Sequence, residues 1–245
     1  MSLRDLFLNI TYALFPPACL LCNSMIQSRT KEVFCPGCRE RLVFIGGHIC
    51  PSCGRNFPDS PSTGHVCGHC IEKPPCFSMA RAALSYESLI LEAIHRFKYG
   101  RNPVFGAALA SFLSTVEFPD VDWKTYDLII PVPLHIRKLR QRGFNQSLIL
   151  ARGLSKTHRI PVNFSLLKRR KLTLTQTGLD KKQREKNVKN AFIVRQQDRI
   201  EGKNIILVDD VYTTGATTNE CARMLIRAGA GRVAVIVLAS VPVVH

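Results

Sequence analysis

Four apolar residues, two adjacent carboxylates and a Thr/Gly-rich turn follow one another from Ile205 to Thr217, in the order IILVDDVYTTGAT. The run IILV is short and apolar throughout, which predicts a strand buried on both faces, as in a parallel sheet. The segment Asn219 to Ala228 has a helix-forming pattern and stops at Gly229, a residue suited to the left-handed C-cap of a helix. A strand therefore hands over to a helix at Thr213, Thr214, Gly215, Ala216 and Thr217. Backbone N–H groups and hydroxyls there can bind a phosphate, with the positive end of the helix dipole behind them. Asp209 and Asp210 stand a few residues earlier, at the carboxyl end of the strand, where carboxylates accept hydrogen bonds from sugar hydroxyls. Phosphate on the turn and sugar on the acids suits a ribose 5-phosphate. An ordinary strand, turn and Thr-capped helix would account for the threonines, but gives no reason for two neighbouring acids.

These thirteen residues resemble the phosphoribosyl pyrophosphate (PRPP) motif of type I phosphoribosyltransferases, a long pattern far more specific than a lone glycine motif. The resemblance implies that Asp209 and Asp210 hold the ribose 2′ and 3′ hydroxyls and serve catalysis. It gives the 5′-phosphate to Thr213, Thr214, Gly215, Ala216 and Thr217.

Eight of the chain's ten cysteines fall in four C-x-x-C pairs: Cys19/Cys22, Cys35/Cys38, Cys50/Cys53 and Cys67/Cys70. A disulfide framework would need an oxidising compartment and an export signal. Met1 to Phe15 does not read as one, because Asp5 sits in what would be the basic region and Pro16 and Pro17 follow without a small-residue cleavage site. A cytoplasmic chain is expected. Leu3, Leu6, Phe7, Ile10 and Leu14 fall at helical spacing and predict a short amphipathic helix. Zinc is then the natural explanation of the pairs, since two such knuckles close a tetrahedral four-cysteine site and Pro or Gly lies in or beside three of them. The simplest pairing, in sequence order, gives one site from Cys19, Cys22, Cys35 and Cys38 and another from Cys50, Cys53, Cys67 and Cys70; the spacing also admits an interleaved arrangement. His48, His65 and His69 are spare candidates. Without an open position, both zincs would be structural. Cys221 reads as a small core residue, and Cys76 as the end of the metal module.

From Cys19 to Cys70 the chain shows little periodicity and much Gly, Pro and Ser, so metal must hold it together. Asn56 to Gly64 reads as a loop between the last two knuckles. After Lys73 to Cys76 (KPPC) the texture changes, which divides the 245 residues into 1–76 and 77–245. MARAALSY, DLIIPVP and RVAVIVLA read as strands; ESLILEAIHRFKY, PVFGAALASFLSTV and NQSLILARGLSKTH as helices. With the strand at Ile205 this alternation predicts an α/β fold with a doubly wound parallel sheet. Gly229 and Gly231 mark a helix end and a turn rather than a dinucleotide loop. No run approaches the roughly 18 apolar residues of a membrane span.

Between Pro131 and Ile200 there are 18 Lys and Arg against three acids, a balance of +15, while the whole chain carries +16. A small ligand such as PRPP needs only a few cations, so the surplus suggests a polyanion such as nucleic acid; a solvated basic face, for example Lys181 to Lys189, is the simpler alternative. PVPLHIRKLRQRGFNQS follows a strand and so places a basic loop at the carboxyl edge of the sheet, beside the acids. Arg137, Lys138, Arg140 and Arg142 can serve a pyrophosphate or DNA there, and Gly143 allows close backbone approach. In type I phosphoribosyltransferases the corresponding loop binds pyrophosphate. The stretch RRKLTLTQTGLDKKQREKNVKNAF is similar to the loop that closes over PRPP in that family; a static basic hairpin would have the same composition.

Together, the paired knuckles, PVPLHIRKLRQRGFNQS, QTGLDKKQREKNVKNAF and IILVDDVYTTGAT resemble the ComF family of bacterial competence proteins. The resemblance implies a type I phosphoribosyltransferase-like domain behind an N-terminal double zinc ribbon, and the handling of single-stranded DNA during natural transformation, with a helicase of the uptake machinery as partner. Two functions follow. One is a DNA-handling protein that grips single strands through the PRPP-type pocket, with Phe57, Tyr99, Phe144 or Tyr212 as stacking groups. The other is a phosphoribosyltransferase, with Mg²⁺ accompanying PRPP, that acts on an unidentified acceptor; a PRPP-sensing regulator would bind without turnover. Any hood selecting an acceptor would have to come from Phe77 to Trp123 or from the zinc module.

Overall fold

The computed structural model describes residues 18–26, 32–57, 64–100, 102–171 and 181–242. Four parallel strands form the central sheet: β1 (Met79–Ser85), β2 (Leu128–Pro131), β5 (Asn204–Tyr212) and β6 (Arg232–Ser240), in the spatial order β1-β6-β5-β2. An antiparallel pair, β3 (Leu167–Arg169) and β4 (Phe192–Val194), makes a second small sheet. Helices α1 (Pro36–Glu40) and α2 (Gly68–Glu72) belong to the cysteine-rich part. Between and after the strands lie α3 (Ser88–Tyr99), α4 (Pro103–Leu113), α5 (Ile136–Arg142), α6 (Gln146–His158), α7 (Lys181–Val188) and α8 (Ala216–Arg227).

The pleat of the sheet explains why its strands are apolar at every position. Ile206 and Val208 of β5, with Ala234, Ile236 and Leu238 of β6, join a core with Ile94 and Phe97 of α3, Leu109 of α4 and Leu150 of α6. Their neighbours Ile205, Leu207, Val233, Val235 and Val237 join a separate core with Cys221 and Leu225 of α8 and Phe192 of β4. Both faces are therefore covered, as the continuous apolar runs require. This is the doubly wound α/β arrangement expected from the sequence.

Both edges of the sheet are also occupied. At β1, the Ile45 N–H donates to the Ala83 carbonyl at 3.1 Å and the Ser85 N–H to the Val43 carbonyl at 2.8 Å, so the cysteine-rich part adds a short antiparallel segment. At β2, Ile129 donates to the Pro161 carbonyl at 2.8 Å and accepts from the Asn163 N–H at 2.9 Å.

Several elements differ from expectation. Strand β5 runs past the acids to Tyr212, with Asp209 opposite Val237 and Tyr212 opposite Ser240 of β6. Helix α8 begins at Ala216, three residues before Asn219, because Gly215 at φ 75° turns the chain directly into it. The basic segment after β2 is a helix, α5, rather than a loop: its straight-chain residues favour helix, and His135 Nδ1 caps its start by accepting from the Arg137 N–H. The amphipathic helix expected between Leu3 and Leu14, residues 58–63 and residues 172–180 of the expected lid lie outside the described residues. The flanks of that lid are β3, α7 and β4, so it contains a helix beside an antiparallel pair.

Candidate functional site

Two sets of cysteines form in sequence order: Cys19, Cys22, Cys35 and Cys38, and Cys50, Cys53, Cys67 and Cys70, with the sulfurs of each set within 4.8 Å of one another. The interleaved arrangement is not found among the described residues. Four thiolates about 2.3 Å from a tetrahedral zinc stand about 3.8 Å apart; the Cys22 and Cys35 sulfurs are 3.6 Å apart and those of Cys53 and Cys67 3.7 Å. The Cys35 N–H donates to Cys19 Sγ at 3.3 Å and the Cys67 N–H to Cys50 Sγ at 3.4 Å, which supports thiolate charge. Donor chemistry and spacing fit zinc in both sets. His48, His65 and His69 join neither, and His65 stacks on Phe57 at 4.2 Å. Cys221 is fully buried on the inner face of α8, as expected of a core residue. The Cys76 N–H donates to Asn219 Oδ1 at 2.7 Å, tying the end of the module to α8.

At the carboxyl end of the sheet, Asp209, Asp210 and the turn Thr213, Gly215, Ala216 and Thr217 line one cavity of about 380 Å³. Asp209 Oδ1 accepts from Ser147 Oγ of α6 at 2.9 Å and from the Asp210 N–H at 2.9 Å. Asp210 Oδ2 pairs with Lys98 Nζ of α3 at 2.8 Å, and its Oδ1 accepts from the Val211 N–H at 2.9 Å. Burial, then the neighbouring Asp210 charge, pushes the Asp209 carboxyl up to about 7, against the opposing pull of Ser147, the backbone and Lys98. For Lys98, burial works against the charged form, but the charge and hydrogen bond of Asp210, with Asp209 and Tyr86 adding to them, hold the ammonium above its ordinary range. Each acid is thus held in place by a group from a different helix.

In the turn itself, Thr214 Oγ1 accepts from the Ala216 N–H at 3.4 Å and Thr218 Oγ1 donates to the Gly215 carbonyl at 3.1 Å. Gly215 has a positive φ, and a Cβ there would collide with the Tyr212 hydroxyl, so the turn is closely backed by the Tyr212 ring. Beyond the Ala216 N–H, which Thr214 takes, the N–H groups of Thr217 and Thr218 at the start of α8 have no preceding helical carbonyl.

The sequence-derived basic residues divide by helical phase. Lys138 and Arg142, four apart on α5, line the cavity together with Lys98 and Arg169. Arg137 and Arg140 are exposed and do not line it. Burial lowers the Lys138 pKa, and the charges of Arg169, Arg142 and Lys98 lower it further, the mark of cations gathered around one space. Arg142 also donates to Gln146 Oε1 at 3.1 Å and stands over the Tyr99 ring at 5.2 Å. Gly143, at φ 84°, caps α5 by donating to the Leu139 carbonyl; a Cβ there would meet nothing within 4 Å, so its role is left-handed conformation rather than close approach.

Sequence reasoning missed Lys98, Ser147 and Arg169. Lys98 sits in the last turn of a helix, where a cation ordinarily needs no other explanation, and Ser147 reads as part of a capped helix start. Arg169 was visible only as one of many basic residues. Among the proposed stacking groups, Phe144 stacks on Phe97 at 5.8 Å, while Tyr212 packs against the second cysteine set and Phe77. Tyr99 is half exposed beside the cavity's Arg142.

Residues 10–71 match the double zinc ribbon domain and residues 145–243 the phosphoribosyl transferase domain. Competence protein ComFC of Bacillus subtilis (strain 168) is 32% identical over 232 residues, spanning 86% of this chain and 89% of that protein. DNA utilization protein YhgH of Escherichia coli (strain K12) is 33% identical over 232 residues, spanning 90% of this chain and 95% of that protein. Among solved structures, the glutamine PRPP amidotransferase of B. subtilis in complex with ADP and GMP is 22% identical over 58% of this chain and 30% of that chain, with a TM-score of 0.39. No helix among the described residues is long and apolar enough to cross a membrane.

Proposed function

The chain belongs to the ComF family of competence and DNA utilization proteins, and from that premise we propose that it handles single-stranded DNA in the cytoplasm through a pocket that also takes Mg-PRPP. One observation carries the reading: two adjacent carboxylates and a phosphate-type turn share a cavity with Lys98, Lys138, Arg142 and Arg169. Asp209 and Asp210 accept from ribose hydroxyls, Thr213 to Thr217 hold the 5′-phosphate, and Lys138, Arg142 and Arg169 face the pyrophosphate. Mg²⁺, when bound with PRPP, neutralises that pyrophosphate. Residues 1–76 serve as the zinc-held part and 77–245 as the phosphoribosyltransferase-like part, and the resemblance adds a helicase of the uptake machinery as partner.

The same cations have the charge to stabilise a departing pyrophosphate, which favours phosphoribosyl transfer as the second reading. There Asp209 and Asp210 would hold the ribose as positive charge develops at C1. Anisotropy of a labelled single-stranded oligonucleotide, across a salt series and with Mg-PRPP as competitor, tests both. Binding with a steep salt slope that PRPP displaces supports DNA at this pocket. Absence of binding at low salt removes the DNA role, and Mg-dependent pyrophosphate release that stops in Asp209→Asn would establish the transferase.

A further inference from the structure

A second cavity, of about 610 Å³, lies on the other side of the phosphate turn. Tyr212, Gly215 and Ala216 line both cavities and form the partition between them. The remaining walls come from three places in the chain: Lys73 and Phe77 at the end of the zinc module, Lys186 and Lys189 on and just after α7, and Arg223 on α8. Arg223 is neutralised by Glu220, which takes its Nη2 at 2.7 Å and Nε at 2.8 Å and also accepts the Asn190 N–H at 2.7 Å. With that pair balanced, Lys186 and Lys189 bring positive charge to the wall opposite Cys70 of the second zinc set. Phe77 and Tyr212 meet edge to face at 6.3 Å and supply an aromatic wall. A cationic rim around an aromatic wall, at this volume, suits a base with its phosphodiester better than a lone anion.

We propose that this second cavity receives the nucleotide on the 5′ side of the one whose phosphate rests at Thr213 to Thr217, so that a strand crosses Gly215 and Ala216 from one cavity into the other. The inference rests on the first pocket being a site for ribose phosphate and nucleic acid. PRPP ends at its 5′-phosphate and stays on one side of the partition. A strand phosphate is a diester and continues past it, so the second cavity separates polymer from monomer.

The test compares 5′-phosphothymidine with the dinucleotide dTpdT, by calorimetry, on the wild-type zinc-loaded protein and on Lys186→Gln/Lys189→Gln. The wild type should bind dTpdT about tenfold more tightly than the mononucleotide, and the variant should lose that gain, binding dTpdT no more tightly than it binds the mononucleotide. For a labelled oligo-dT, the salt slope should flatten by about 1.4. A dinucleotide no tighter than the mononucleotide, or a variant that weakens both equally, overturns the proposal while leaving the first pocket intact. If neither Mg-PRPP nor the mononucleotide binds the wild type, the first reading fails and this one with it.

Discussion

The two zinc sets share ligand type and spacing, yet they are packed into different work. In the first, Cys22 is exposed and Cys35 half-buried, while Cys19 and Cys38 sit in the core that also holds Phe34, Phe112 and Ile94. Phe34 meets Phe112 edge to face at 4.9 Å, and Arg96 donates to the Leu20 carbonyl at 3.0 Å. In the second set all four cysteines are buried and pack against Phe57 and Tyr212, whose hydroxyl backs the turn at Gly215. One zinc braces a helix layer; the other braces the turn between β5 and α8. The same local motif acquires its role from what it leans on.

The comparison breaks most visibly if either site is removed. A structural zinc site contributes apparent folding free energy on the order of 10 kcal/mol, so Cys22→Ala and Cys70→Ala should each lower the zinc content measured by plasma mass spectrometry from two per chain to one. Only Cys70→Ala should weaken Mg-PRPP binding by more than about thirtyfold (~2 kcal/mol), while Cys22→Ala stays within about threefold. Equal losses would end the distinction.

The next largest effect belongs to the acids that face the turn. Because burial and Asp210 raise the Asp209 carboxyl to about 7, the folded protein holds this proton where the unfolded chain, with a carboxyl near 4, has released it. Stability should therefore fall between about pH 4 and 7, by up to about 4 kcal/mol relative to Asp209→Asn, and level off above. Urea denaturation of both proteins at pH 5 and 8 reads the difference directly, and parallel pH profiles would remove Asp209 as its source. Lys98→Met leaves Asp210 largely buried without its cation and should cost about 3 kcal/mol, most of it recovered in Lys98→Met/Asp210→Asn. Failure of that recovery in the same denaturation assay would show that Lys98 acts through something other than Asp210.

The smallest change sharpens the comparison most. Tyr212→Leu removes the ring between the second zinc set and Gly215 without touching a metal ligand. Mg-PRPP binding should weaken by about tenfold (~1.4 kcal/mol) with two zincs retained. Unchanged affinity in calorimetry would mean the turn holds its shape without support from behind.

Much of this was legible in the chain because its signals are local. Ile205 to Val208 declare a buried strand through their own side chains, the cysteine pairs carry their spacing with them, and the strand-helix alternation after Met79 appears as the periodicity predicts. The helical phase of α5 decides which cations reach the pocket, and composition alone had put Arg137 and Arg140 beside Lys138 and Arg142. Lys98 and Ser147 reach the acids only because α3 and α6 pack on the same sheet face. Contacts between residues 62 or 112 positions apart leave no periodic trace. The partition role of Tyr212 is of the same kind, since it depends on the zinc module folding back onto the end of β5.

The occupied edges of the sheet bear on how the protein can be cut. A fragment beginning at residue 77 would lose the Val43–Ile45 pairing to β1 and also the Ser52 carbonyl that accepts the Ala80 N–H at 2.8 Å. It would present an unpaired strand beside the uncovered Phe112, the combination that invites one chain to add itself to another. The zinc-held part is in this sense a border strand of the sheet it precedes, and the phosphoribosyltransferase-like part is a unit of sequence whose sheet edge is finished by another.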